Sequence, residues 1–141
     1  MAERLQCDPE HILRVCYFES RLNPKYRLTT HKFSPAGIVP ISQSDALKMG
    51  TTVGRISKMS IEDQLFYVEM ILQPYTGMLH SITDVYGAIF CSSLVGKTES
   101  FTIQFPRKYR TANRVFPIRN HQRISKWQIE YALEKYFREW D

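Results

Sequence analysis

The sequence predicts a mainly α-helical domain with one long loop after its first core helix and little or no β-sheet. Three observations lead there. Apolar residues recur at helical spacing in four segments, helix-start chemistry precedes each of them, and alternation of apolar and polar residues is confined to one short stretch.

In chain order, Asp8-Pro9-Glu10 supplies a capping carboxylate, a proline at the first helical position and an acid facing the positive end of the dipole, so a helix is predicted over residues 9–20. Residues 23–42 hold three prolines and one glycine with no helical period, which reads as a long ordered loop. Loops of that length in a compact domain are usually functional. Short helices fit residues 42–49, closed by Gly50, and 52–58. Ser60-Ile61-Glu62-Asp63 resembles a capping box, followed by Ile61, Leu65, Val68 and Leu72 at helical spacing until Pro74. Ser81-Ile82-Thr83-Asp84 repeats the cap, and Ile82, Val85, Tyr86, Ile89 and Phe90 form the stripe of a second core helix predicted to end near Gly96. Across residues 97–124 the period vanishes, and Phe101, Ile103 and Phe105 alternate with polar residues in what reads as either a strand or a stretched loop. Ser125 with Gln128 opens a last helix over about 125–140, with Ile129, Ala132, Leu133, Tyr136, Phe137 and Trp140 on its apolar face.

At 141 residues with 43% apolar and 23% charged side chains, the chain is expected to form a single domain over 1–141, large enough to build a core without disulfide or metal staples. No window approaches the ~20 apolar residues that span a bilayer, and residues 1–8 lack the apolar run of a secretory signal. Cys7, Cys16 and Cys91 are an odd count at no metal-ligand spacing, so reduced, buried thiols are expected and no metal or cofactor is predicted. The net charge of +5 favours an anionic partner: nucleic acid, a membrane surface or a cell-wall polymer.

One acid stands out. In the first helix Ile12, Val15 and Cys16 mark the inward face, and the next position on that face is Glu19. There, in the last turn, the negative end of the helix dipole and desolvation both favour the protonated form. A carboxylic acid kept protonated near neutral pH suits a general acid that protonates a glycosidic oxygen. On spacing alone the commoner arrangement is an outward acid paired with Arg21 or Arg14.

The neighbouring residues favour the first alternative. Phe18-Glu19-Ser20-Arg21-Leu22-Asn23-Pro24 resembles the E-S-x-x-N-P signature of the lysozyme-like lytic transglycosylases, a family that includes goose-type lysozyme. Ala36-Gly37-Ile38-Val39-Pro40-Ile41 is similar to the family's G-L-M-Q-F segment, and Ala46-Leu47-Lys48-Met49-Gly50 to the A-x-x-L-G that follows. Ser57-Lys58-Met59-Ser60 with Gln64-Leu65-Phe66-Tyr67-Val68, and Asp84-Val85-Tyr86 with Ala88 and Val95-Gly96-Lys97, resemble segments of phage virion-associated muralytic domains. The resemblance spans residues 8–133. It implies a lysozyme-like fold and cleavage of the MurNAc-GlcNAc β-1,4 bond of peptidoglycan with Glu19 as catalytic acid and base. It also implies Ser20, Ser34, Ile38, Tyr86 and Phe90 as substrate-binding residues, with residues 23–42 walling the cleft; Ser20, with no His-Asp arrangement to make it a nucleophile, reads as a helix-ending hydroxyl that orients Glu19. The family's glutamine is replaced by Pro40 and its tyrosine by Phe90, with Tyr86 one turn earlier as the substitute. Of a calcium-loop-like segment, residues 118–125 keep only the end, without its acids, so no metal is expected.

Asp84, a possible second carboxylate, is explained by helix capping, and transglycosylation needs one Glu because the muramic sugar supplies its own N-acetyl group and 6-hydroxyl. Of the four histidines only His31 falls in the predicted active-site loop. Lys97, Arg107, Lys108, Arg110, Arg114, Arg119, Arg123 and Lys126 stand against the single acid Glu99, interleaved with Phe101, Phe105, Tyr109 and Phe116. This basic subregion, residues 97–126, suits contact with peptidoglycan or docking to a phage tail or other virion protein; a nucleic-acid backbone is the less favoured partner. The chain is thus expected in a virion or the host cytoplasm, acting on the cell wall, with a non-catalytic structural or wall-binding virion component as the alternative.

Overall fold

Six helices start on a side chain that accepts a backbone N–H of the first turn: Asp8 from Glu10, Ser42 from Asp45, Thr52 from Arg55, Ser60 from Asp63, Ser81 from Asp84 and Ser125 from Gln128. Each cap satisfies a donor that has no partner inside the helix, worth about 1 kcal/mol. These caps set the elements of the computed structural model, which describes residues 1–104 and 123–140, with the backbone alone for 136–140. The helices are α1 (Ala2–Leu5), α2 (Pro9–Ser20), α3 (Gln43–Lys48), α4 (Val53–Ile56), α5 (Ile61–Leu72), α6 (Ile82–Phe90) and α7 (Lys126–Trp140). One antiparallel pair, β1 (Thr102–Gln104) and β2 (Arg123–Ser125), aligns Ile103 with Ile124, both buried. The protein is therefore mainly helical with little sheet. Among the described residues no helix is long and apolar enough to cross a membrane.

Helix α6 is the centre, packed against α2, α5 and α7. Every residue in it except Ile89 is buried, so its apolar surface runs all round rather than along the single stripe the periodicity suggests. It also ends at Phe90, not near Gly96. Gly87 explains the early stop: a Cβ there would come within 2.9 Å of the Leu94 Cβ, so the absent side chain lets the 3-10 turn Ser92–Leu94 fold back onto the helix.

Two buried polar hubs hold this core together. The first is Asp84. It closes a capping box at Ser81, accepts from the N–H groups of His80 and Gly96, and pairs with Lys126 at 2.5 Å. Lys126 also donates to the Lys97 carbonyl, and the first N–H groups of α7 reach the carbonyls of Phe101 and Glu99. Lys126, counted above with a basic surface, is 6% exposed and structural. Burial alone pushes the Asp84 carboxyl up, but the Lys126 ammonium and the backbone donors outweigh it and hold the group below its usual range.

The second hub is Gln64, fully buried on α5. Its Oε1 accepts from the Ile38 N–H at 2.8 Å, while Nε2 donates to the carbonyls of Pro24 at 2.7 Å, Ile56 at 2.9 Å and Met59 at 3.3 Å. One amide thus fastens both ends of the loop after α2 to α4 and α5. Gly37, at φ +107°, lies against it: a Cβ there would meet Gln64 Oε1 at 3.0 Å and Ile56 at 3.1 Å. Because truncation would strand several buried backbone groups, Gln64→Ala is expected to lower stability by about 3–5 kcal/mol, against less than about 0.5 kcal/mol for the exposed Gln73→Ala, both measured by chemical denaturation.

Candidate functional site

The buried stripe of α2, Ile12, Val15 and Cys16, delivers Glu19 to the last turn of the helix, where its chain is forced to reverse. Arg21 caps α2 in the left-handed conformation, donating to the Tyr17 carbonyl at 2.7 Å, and Leu22 follows with φ 61°. Two successive left-handed residues, neither of them glycine, cost roughly 1–3 kcal/mol each and persist only when their surroundings hold them. Here the surroundings are explicit. Asn23 N–H returns to the Ser20 carbonyl, the Asn23 side chain accepts from Lys25 N–H, and Pro24 is caught by Gln64. The far end of the loop is caught at one peptide from both sides, Ile38 N–H by Gln64 and Ile38 carbonyl by the Ser20 hydroxyl at 2.8 Å.

Glu19 keeps part of its surface accessible, yet Oε1 is buried with no hydrogen-bond partner among the described residues. The ion pairs weighed from the sequence do not form: Arg14 pairs with Glu10 at 2.7 Å, and Arg21 is exposed. Burial with nothing to stabilise the anion pushes the carboxyl up to about 8. Two neighbours feel its charge. The Cys16 thiol, raised to about 12 chiefly by its own burial and further by Glu19, stays an unreactive thiol. The Tyr26 hydroxyl, half-buried on the loop, is raised by burial and then by Glu19, so the loop runs within electrostatic reach of the carboxyl.

The other expected residues fall as follows. Ser20 is buried, but its hydroxyl donates to the carbonyls of Cys16 and Ile38, so it anchors the loop instead of orienting Glu19. Ser34 is buried within the loop, where its hydroxyl accepts from Thr29 N–H at 2.7 Å. Ile38 is 1% exposed and lines an apolar cleft of about 370 Å³ shared with Cys16 and Leu22. Tyr86 is 1% exposed, edge-on to Phe18 at 6.3 Å and 4.9 Å from the buried Phe90, so these rings belong to the core around α6. Phe18, next to Glu19, touches that cluster, which links α2 to α6 below the carboxyl. His31 is exposed at the loop tip. Among the described residues no group of three or more His, Cys, Asp or Glu side chains is arranged to hold a metal ion.

No protein-family model matches the chain, and no curated protein and no solved structure is significantly similar to it. Function is therefore read from this corner of the molecule. Its chemistry is that of a proton donor: a neutral carboxylic acid at pH 7, buried on one oxygen and partly accessible, at the foot of a clamped loop. Asp84, the other carboxylate weighed, is buried and tied to Lys126 and three backbone donors.

Of the basic subregion, Lys97 lies over the Phe101 ring at 5.3 Å and Arg123 is bound to Thr102 across the strand pair. Arg107, Lys108, Arg110, Arg114 and Arg119, with Phe105, Tyr109 and Phe116, lie outside the described residues, as do the end of the calcium-loop-like segment before Arg123 and the side chains of Tyr136, Phe137 and Trp140. Sequence reasoning named Gln64 within a motif but gave it no role, and it missed Tyr26. The signal for Gln64 was an amide one position before Leu65, on the inward face of α5; Tyr26 had none.

The sign of the pH dependence follows from the direction of the Glu19 shift. Unfolded, this carboxyl ionises near 4.5; folded, near 8. Between those values only the folded chain holds the proton, so the contribution of Glu19 to stability is most favourable below pH 4.5, declines as pH rises to about 8 and is level above. Glu19→Gln, which removes the group, is expected to match wild type in stability near pH 4 and exceed it at pH 8 by about 2–4 kcal/mol, read from denaturation midpoints at the two pH values.

Proposed function

We propose that the protein is a peptidoglycan-cleaving lytic transglycosylase of lysozyme-like fold, with Glu19 as its single acid and base. The observation that carries this reading is the Glu19 carboxyl, raised to about 8, with Oε1 buried and without a partner among the described residues, at the end of a core helix and beside a loop fastened at both ends. The order of motifs around it, from Glu19-Ser20 through Ala36-Gly37 to Asp84-Val85-Tyr86, supports the same reading.

In the reaction, protonated Glu19 gives its proton to the glycosidic oxygen between MurNAc and GlcNAc as the C1–O bond breaks. The neighbouring N-acetyl oxygen shares the charge at C1. Glu19, now a carboxylate, takes the proton of the muramic 6-hydroxyl as that oxygen attacks C1, which closes a 1,6-anhydro ring and restores the acid. No second carboxylate is required, consistent with the structural engagement of Asp84. The setting is a virion or a phage-infected cell, with the peptidoglycan glycan strand as substrate.

A non-catalytic wall-binding or structural virion component is the second reading. It is favoured by Pro40, buried where the family has glutamine, and by the closed packing of Tyr86. Mass spectrometry of products from purified sacculi separates the two. Wild type is expected to release anhydromuropeptides, and Glu19→Gln to lose this by a factor of about 10²–10⁴ while keeping its circular dichroism spectrum. Undiminished release by Glu19→Gln overturns the catalytic reading, and products with free reducing ends indicate hydrolysis. Because catalysis needs the protonated acid, kcat/KM is expected to fall on the alkaline side with an apparent pKa near 8, as a pH-rate profile reads directly.

A further inference from the structure

The long loop after α2 carries a feature that neither its fastening nor the Glu19 chemistry requires. Its tip presents Phe33 with 51% of its surface exposed, and it does so from a rigid frame. Arg27 Nη2 donates to the carbonyls of His31, Lys32 and Ser34 at 3.2, 2.8 and 3.1 Å. Thr29 N–H donates to the Ser34 hydroxyl, Phe33 N–H to His31 Nδ1, and Leu28 N–H to the Pro35 carbonyl. A loop tip with most of its polar backbone bound internally has little entropy left to lose on binding. Lys32 Nζ stands 4.8 Å from the centre of the Phe33 ring and the His31 ring 5.8 Å away, so an aromatic, an ammonium and an imidazole converge on one exposed point. The charge around it has one sign. Between Glu19 and Asp45 the sequence carries Arg21, Lys25, Arg27 and Lys32 and no acid.

We propose that this tip, Lys32 and Phe33 with His31 beside them, is a second contact for the peptidoglycan strand and takes the carboxylate-bearing peptide branches of the glycan. The inference rests on the glycan-cleaving reading of Glu19 and names which part of that substrate the loop recognises. A carboxylate meets the ammonium of Lys32, and the open side of the Phe33 ring covers the aliphatic part of the branch. Rigid exposed aromatics flanked by cations bind well because both their contact area and their charge are preorganised.

Binding is measured with the Glu19→Gln protein, which leaves the polymer intact, on intact sacculi and on glycan strands stripped of peptides by an amidase. In that background Lys32→Glu is expected to weaken binding to intact sacculi about tenfold, more at low salt than at high. Phe33→Ala is expected to weaken it about threefold. Binding to peptide-free strands is expected to be the same for all three proteins. Both side chains point to solvent, so the variants keep the parent's circular dichroism spectrum. Unchanged binding of both variants to intact sacculi, or equal loss on the two polymers, overturns the proposal. The catalytic reading is judged separately, by product release from wild type against Glu19→Gln, so a tip that binds in a protein that does not cleave, or a protein that cleaves with an inert tip, tells which of the two has failed.

Discussion

The buried amide of Gln64 is the constraint on which the region around Glu19 depends. It faces one N–H and three carbonyls drawn from the loop after α2, from α4 and from the turn into α5. Only an uncharged group with an acceptor at one end and donors at the other satisfies that set. A carboxylate would repel the carbonyls, an ammonium would leave the Ile38 N–H unmet, and an aliphatic chain would strand all of them in a dry interior. With the amide in place, Ile38 becomes a fixed point, and the Ser20 hydroxyl can lock the end of α2 to it. Glu19 occupies its position because the chain that follows it is tied to one glutamine, through Pro24 directly and through Ser20 by way of Ile38.

Glu19 and Asp84 show how little an acid's burial says about its behaviour. Both lie at core-facing positions of adjacent, packed helices. Asp84 sits at the start of α6, where N–H groups point toward it and an ammonium arrives from α7, so the anion is the favoured form. Glu19 sits at the end of α2, where only carbonyls remain free and no cation among the described residues reaches it, so the neutral acid is favoured. The polarity of the helix and the reach of one lysine separate a structural charge from a retained proton.

The parts of this arrangement that are local were legible in the sequence. Caps at Asp8, Ser60 and Ser81 and the apolar period behind them marked α2, α5 and α6, and Ser125 with Gln128 marked the start of α7, because such signals act over three or four residues. Glu19 was legible for the same reason, as an acid in register with Ile12, Val15 and Cys16. What could not be read depends on contacts between distant residues. Lys126 lies 42 positions from Asp84, Gln64 lies 26 from Ile38, and the Ser20 hydroxyl finds its partner 18 residues on. The early end of α6 likewise follows from Leu94 packing on Gly87, and α1 is a single turn with no side-chain cap to announce it.

The left-handed pair Arg21 and Leu22 has an implication for how the chain can vary. Glycine or asparagine at either position would relieve backbone strain, so the simplest route to a more thermostable chain passes through the two residues that follow the acid and Ser20. The same change would loosen the joint that aims α2 at the loop. Hardiness and aim are therefore opposed at this joint, and a selection for one alone is expected to erode the other.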